Sequence, residues 1–137
     1  MQSIKAKAFS LLAKKAYFSK ELDRKLREKG YPEKEILPLL KELKAQGWLN
    51  DEDLASRYIE RLKAKGYGPR VIALKLREKA GPMEVSIEES KDAALALIEK
   101  KYRRDLPEKK EKVIAALMRR GFSYELIKNL LENIRKE

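Results

Sequence analysis

The chain contains neither cysteine nor histidine. The first absence removes disulfides and thiolate nucleophiles, the second removes imidazole bases, and together they remove the commonest zinc ligands. Most hydrolytic chemistry is excluded with them. Serines, lysines and carboxylates are present, but no nucleophile and base are visibly paired. An enzyme is therefore not the expectation, and neither a cofactor nor a small-molecule substrate is implied. Long apolar runs are also missing. Nothing approaches the roughly 20 residues of a membrane span, and the first residues lack the apolar centre of a secretion signal. The expected location is cytoplasmic, without membrane contact.

What the chain has instead is charge. Lys+Arg number 33 and Asp+Glu 22, a formal net charge of +11 over 137 residues. The charged fraction is 40%, well above the roughly 25% of ordinary globular proteins. Attraction to polyanions follows, either nucleic acid or an acidic protein surface. The hydrophobic fraction of 43% still supplies a core. The length suits one domain or a row of small helical modules.

Apolar residues recur at helical spacing throughout, with no strand signal. Ile4, Ala8, Leu11 and Leu12 mark a helix over 3–16, and Tyr17 and Phe18 form a turn. Ser19 then caps a second helix carrying Leu22 and Leu26, closed by Gly30. Pro32 opens a third, with Ile36, Leu39, Leu40 and Leu43 towards a core. Gly47 ends it, and Pro38 inside it predicts a kink or a late start. Asn50-Asp51-Glu52-Asp53 suits a helix N-terminus, which explains this acidic cluster better than a metal site. That fourth helix buries Leu54, Tyr58, Ile59 and Leu62. After Gly81-Pro82, the Ser-x-x-Glu spacing of Ser86-Ile87-Glu88-Glu89 predicts a long helix carrying Ala94, Leu95, Ile98 and Tyr102. Leu106-Pro107 interrupts it. Two last helices hold Val113, Ile114, Leu117 and Met118, then Leu126, Ile127, Leu130, Leu131 and Ile134.

The central punctuation is Gly66-Tyr67-Gly68-Pro69, a tight turn in which glycine supplies positive φ and proline opens the next helix. From Lys65 to Lys79 five cations (Lys65, Arg70, Lys75, Arg77, Lys79) face the single anion Glu78. The pentad Lys25-Leu26-Arg27-Glu28-Lys29 recurs verbatim 50 residues later at Lys75-Leu76-Arg77-Glu78-Lys79. At the same offset Tyr17 falls on Tyr67 and Leu22 on Ile72. Gly66, Tyr67, Ile72 and Leu76 fall in turn on Gly121, Phe122, Ile127 and Leu131. The expectation is an all-α protein made of tandem three-helix modules, an elongated or curved stack divided as 1–49, 50–105 and a shortened 106–137.

These residues carry a resemblance. Gly47-Trp48-Leu49-Asn50-Asp51, Tyr58-Ile59 and Lys65-Gly66-Tyr67-Gly68-Pro69-Arg70-Val71-Ile72, with Leu76 and Lys79, look like the central signature of the RecX family, regulators of the RecA recombinase. Leu11-Leu12-Ala13, Ser19-Lys20-Glu21-Leu22 and Arg119-Arg120-Gly121-Phe122-Ser123 support it. Trp48 and Asn50 stand where that family usually has tyrosine and aspartate. The resemblance implies repeated three-helix modules without enzymatic activity. It also implies binding along the groove of a RecA–DNA filament, with inhibition of its ATPase and strand exchange, in homologous recombination and the SOS response. A monomer is expected, with single-stranded and possibly double-stranded DNA as further partners.

Arg70, Leu74 and Arg77 share one face of the fifth helix, away from Ile72 and Leu76. Two guanidiniums around an apolar residue suit an acidic protein surface or a phosphate track, and a plain solvated basic face is the alternative. Lys65, Lys75 and Lys79 extend this candidate partner- and DNA-binding set, with Lys25, Arg27 and Lys29 in the first module and Arg119 and Arg120 in the third. Tyr17, Tyr67, Phe122 and Trp48 read as packing anchors. Charge alone would equally fit a helical module that binds DNA directly, or a scaffold whose basicity serves solubility.

Overall fold

The computed structural model describes residues 2–136, and among them it contains eight α-helices and no strand. They are α1 (Ile4–Lys14), α2 (Ser19–Glu28), α3 (Glu33–Ala45), α4 (Asp51–Ala64), α5 (Pro69–Ala80), α6 (Lys91–Leu97), α7 (Lys110–Arg119) and α8 (Tyr124–Lys136). Between α6 and α7 the helical path continues as a π-helical turn, Ile98–Tyr102, and a 3-10 turn, Arg103–Asp105. No described helix is long and apolar enough to cross a membrane.

Two compact units divide the chain. One comprises Met1–Tyr58 and Leu76–Met83, the other Ile59–Lys75 and Glu84–Glu137. The core of the first joins α1, α2 and α3 through Ala8, Leu11, Leu22, Leu26, Ile36, Leu39, Leu40 and Leu43, with Tyr31 and Leu49. The core of the second joins Ala94, Leu97 and Ile98 to Val113, Leu117, Phe122, Leu126, Ile127 and Leu131. It therefore draws on both sides of position 105/106. The apolar stripe of α6 is buried in the core it shares with α7 and α8, with Leu97 also reaching the Gly66 turn.

Four turns share one backbone pattern. At Gly47, where the exposed Trp48 follows, the Gly47 and Trp48 N–H groups donate to the Lys44 and Leu43 carbonyls at 3.2 and 2.9 Å, and the other three turns also share a buried isoleucine. The N–H groups of Tyr31, Tyr67 and Phe122 donate to the carbonyls of Leu26, Leu62 and Leu117, each at 3.2 Å. Those of Gly30, Gly66 and Gly121 donate to Arg27, Lys63 and Met118 at 3.0, 2.9 and 3.0 Å. The glycines have φ of 95, 89 and 104°, a left-handed helix end that glycine adopts without steric cost. Six residues beyond each glycine stands a fully buried isoleucine, Ile36, Ile72 or Ile127, worth about 2 kcal/mol of apolar burial apiece. The structural repeat thus places Tyr31, not Tyr17, beside Tyr67 and Phe122. Tyr17 precedes α2 in an irregular stretch with no glycine before it. The recurring pentad lies at the C-terminal ends of α2 and α5, where cations suit the helix dipole irrespective of repeat.

Other expectations shift for local reasons. Ser19 is the first residue of α2, not its cap; Phe18 precedes it, and the Phe18 N–H donates to Glu21 Oε1 at 3.0 Å. The Ser19 N–H is satisfied from a distance, by Asp51 Oδ1 at 2.9 Å. α3 starts on time at Glu33 despite Pro38, which it carries in its second turn. The helix expected from Ser86 begins only at Lys91, capped by Ser90, whose Oγ accepts from the Ala93 N–H at 3.0 Å. Glu89 is engaged elsewhere: its carboxylate accepts from the Ser123 N–H at 2.5 Å and the Ser123 hydroxyl at 2.9 Å. In α6 it is Leu97 that is buried beside Ala94, while Leu95 is exposed.

Candidate partner-binding surface

The turn around Gly68 and the turn around Gly121 are joined backbone to backbone. The Gly68 N–H donates to the Arg120 carbonyl at 2.7 Å, and the Arg70 N–H to the Gly121 carbonyl at 3.2 Å. A side chain at Gly68 is impossible here, since a Cβ would sit 2.5 Å from the Phe122 nitrogen and 2.6 Å from the Gly121 oxygen. Two guanidiniums complete the clasp reciprocally. Arg70 Nη2 donates to the Met118 carbonyl at 3.0 Å, and Arg120 Nη1 donates to the Lys65 carbonyl at 3.1 Å. Each arginine satisfies a carbonyl at the end of the other turn's helix, where the dipole is negative.

Tyr67 sits in this cationic group. Lys75 Nζ lies 5.0 Å and Arg120 Cζ 5.3 Å from its ring centre, distances at which a cation is attracted to the ring. Among the described residues no carboxylate pairs with Lys65, Arg70, Lys75, Arg119 or Arg120. Leu74 is 55% exposed. The positive charge of this surface is therefore uncompensated within the unit, a condition that favours an anionic partner. Beside it, between α4 and α6, an open groove of about 730 Å³ is lined by Lys63, Lys65, Lys100 and Lys101, with Glu60, Asp92 and Leu97.

The candidate residues named from the sequence divide between the two compact units. Lys65, Arg70, Leu74, Lys75, Arg119 and Arg120, with Gly66, Tyr67, Gly68 and Pro69, belong to the second compact unit. Lys25, Arg27, Lys29, Arg77 and Lys79 belong to the first. Arg27 is already paired: its Nε meets Asp23 Oδ1 at 2.6 Å and its Nη2 meets Glu33 Oε1 at 3.5 Å. Hydrogen bonding to Asp23 is the main cause that raises the Arg27 pKa, opposed by desolvation and helped by the charges of Asp23 and Glu33. Lys79 Nζ lies 4.9 Å from the Tyr58 ring centre. Lys25, Lys29 and Arg77 are exposed.

Trp48 is not the anchor expected of it. It is 57% exposed, edge-on to Phe9 at 5.2 Å, while Leu49 takes the buried position. Glu89 and the exposed pair Met118 and Tyr124 carry no motif, and reading Tyr31 as the first copy of the turn is the signal that would have drawn attention to the last two. Of the acidic cluster, Asp51 accepts from Ser19 and Asp53 pairs with Arg57 at 3.1 Å. Among the described residues no group of three or more acidic side chains is placed to hold a metal ion.

Repeated helix, glycine turn and helix elements, clasped by arginines on helix ends, define a tandem helical-repeat protein with a basic face. Comparison with known proteins makes this specific. The family model for the first three-helix domain of RecX matches residues 5–43, and that for the third three-helix domain matches 88–131. The regulatory protein RecX of Pseudomonas entomophila is 30% identical, with 94% of this chain and 90% of the relative covered. That of Acinetobacter baylyi is also 30% identical, with 98% and 89% covered. The crystal structure of RecX from Lactobacillus salivarius shares the fold, with a TM-score of 0.82 at 22% identity over 98% of this chain and 96% of that one. The chain belongs to the RecX family.

Proposed function

We propose that this protein is a negative regulator of a RecA recombinase, binding along the recombinase–DNA filament and inhibiting its ATPase and strand exchange. In this reading it acts in homologous recombination, DNA repair and the SOS response, as a cytoplasmic monomer with no catalysis of its own. It works through tandem three-helix modules, the last of them taking in residues 88–131, whose helices share one core across position 105/106. What supports the reading is family membership over nearly the whole chain; the uncompensated cations around Tyr67 supply a physical means. Arg70 and Arg120 present guanidiniums already oriented by helix-end carbonyls, so little further ordering entropy is lost when an acidic surface or phosphate docks.

The test is the single-stranded-DNA-dependent ATPase of a RecA recombinase, with this protein titrated far below the recombinase and DNA in excess. Inhibition under those conditions is the expected result, because so few molecules cannot compete for the DNA. A second reading, a basic helical module acting on DNA directly, is favoured by the net charge of +11. Inhibition only at ratios that saturate the DNA, with steep salt dependence on naked DNA, would replace the first reading with the second.

A further inference from the structure

The three glycine turns that share a buried isoleucine allow one position to be followed through the chain. Three residues before the glycine stand Arg27, Lys63 and Met118; three residues after it stand Glu33, Pro69 and Tyr124. In the first module these positions form an ion pair, Arg27 to Glu33 at 3.5 Å, and in the second Lys63 pairs with Glu60 at 3.6 Å. The third module has hydrocarbon there instead. Met118 is 41% and Tyr124 51% exposed, and with Ile114 and Ala115 they line an open groove of about 380 Å³ between α7 and α8. Lys110 and Lys128 flank it, against the single carboxylate of Glu111.

We infer that the α7–α8 groove is where this protein grips a protein partner, and that its occupant is an apolar, acid-flanked segment of the recombinase subunit. This rests on the regulatory function proposed above. The groove suits a protein better than a nucleic-acid backbone, because methionine, isoleucine and alanine offer soft hydrocarbon to an apolar side chain and nothing to a phosphate. Tyrosine and methionine are the residue types enriched at such contacts, and the two lysines match an acidic flank. Leaving two large apolar side chains in water at positions where the first module has an ion pair makes physical sense when something covers them.

The decisive variant combines Met118→Arg with Tyr124→Glu, which transplants the first module's pair and leaves net charge unchanged. Helicity by circular dichroism and binding to naked single-stranded DNA are expected to match the wild type. The concentration for half-inhibition of the recombinase ATPase is expected to rise at least roughly tenfold, as for loss of a central contact. Unchanged inhibition by the folded variant would overturn the inference, and so would a parallel loss of naked-DNA binding, which assigns the groove to DNA. A wild type without effect on the recombinase would instead sink the functional reading itself. Should the double variant lose helicity, Lys110→Glu with Lys128→Glu decides: weaker inhibition supports the acid-flanked partner, and undiminished inhibition rejects it.

Discussion

The turn at Gly30 and the turns at Gly66 and Gly121 share the same hydrogen bonds and the same buried isoleucine, yet they are put to opposite uses. The first closes on itself. Tyr31 is buried with its hydroxyl donating to the Gln2 carbonyl at 2.7 Å, and Arg27 is held between Asp23 and Glu33. The other two close on each other, and beyond Lys63, which meets Glu60 at 3.6 Å, the cations Lys65, Arg70, Arg119 and Arg120 have no carboxylate among the described residues. Identical local grammar therefore specifies the bend, while the residues three before and after it decide whether the outer surface is sealed or left for a partner. Repetition of a module spreads stability along the chain; departures from the repeat are where binding is expected to concentrate.

The largest effect that tests this contrast comes from adding one methyl group. Gly68→Ala drives a Cβ into backbone atoms of the facing turn, which cannot rotate away as a side chain would. The two turns must part, losing the Gly68 to Arg120 hydrogen bond. The expected cost is roughly 3 kcal/mol in urea denaturation. Pro32→Ala, at the equivalent position of the first turn, is expected to cost under about 1 kcal/mol. Equal costs at the two positions would show that the clasp contributes nothing to stability.

A smaller effect separates two arginines that the sequence placed on one face. Arg70→Ala removes a charged hydrogen bond to the Met118 carbonyl, worth roughly 1 kcal/mol at this exposed site. Arg77→Ala removes no contact seen among the described residues and is expected to stay within about 0.5 kcal/mol. Both are expected to weaken inhibition of the recombinase, but only the first to lower the melting temperature. If neither variant weakens inhibition, the α5 face is not part of the binding surface.

Much of this was legible beforehand, and the failures have physical causes. Helix ends at Gly30, Gly47, Gly66, Gly81 and Gly121 were readable because glycine alone takes positive φ freely, and all five do so. The pairing of residues 66–76 with 121–131 was readable because the buried isoleucine and leucine recur at a fixed distance from the glycine. The first copy was misplaced because an identical pentad outweighed a pattern of chemically similar residues. Long-range capping was invisible: nothing near Ser86 signals that Glu89 binds Ser123, or near Ser19 that Asp51 reaches it. Of the candidate surface, residue types were legible and partners were not. Lysine and arginine look alike in a sequence whether they face a carbonyl, a carboxylate or water.

The smallest effect concerns a pair that belongs to the sealed region, Lys5 Nζ and Glu42 Oε1 at 2.9 Å. The hydrogen bond from Lys5, then its charge, hold the Glu42 carboxyl below its ordinary pKa, with Gln46 adding a weaker contribution in the same direction. A depressed folded pKa means that the carboxylate stabilises the fold above its unfolded pKa and stops doing so as pH falls through the folded one. Any advantage of the wild type over Glu42→Gln in melting temperature should therefore be present at neutral pH and vanish in acid. Both side chains are well exposed, so water and salt screen the pair, and the gap at neutral pH should be slight and shrink further in high salt. A large, salt-insensitive gap would mean that α1 is held to α3 by this pair more than by Ala8 and Leu11. The closed first turn would then depend on surface charge as much as the open ones do, and the contrast between the two regions would fail.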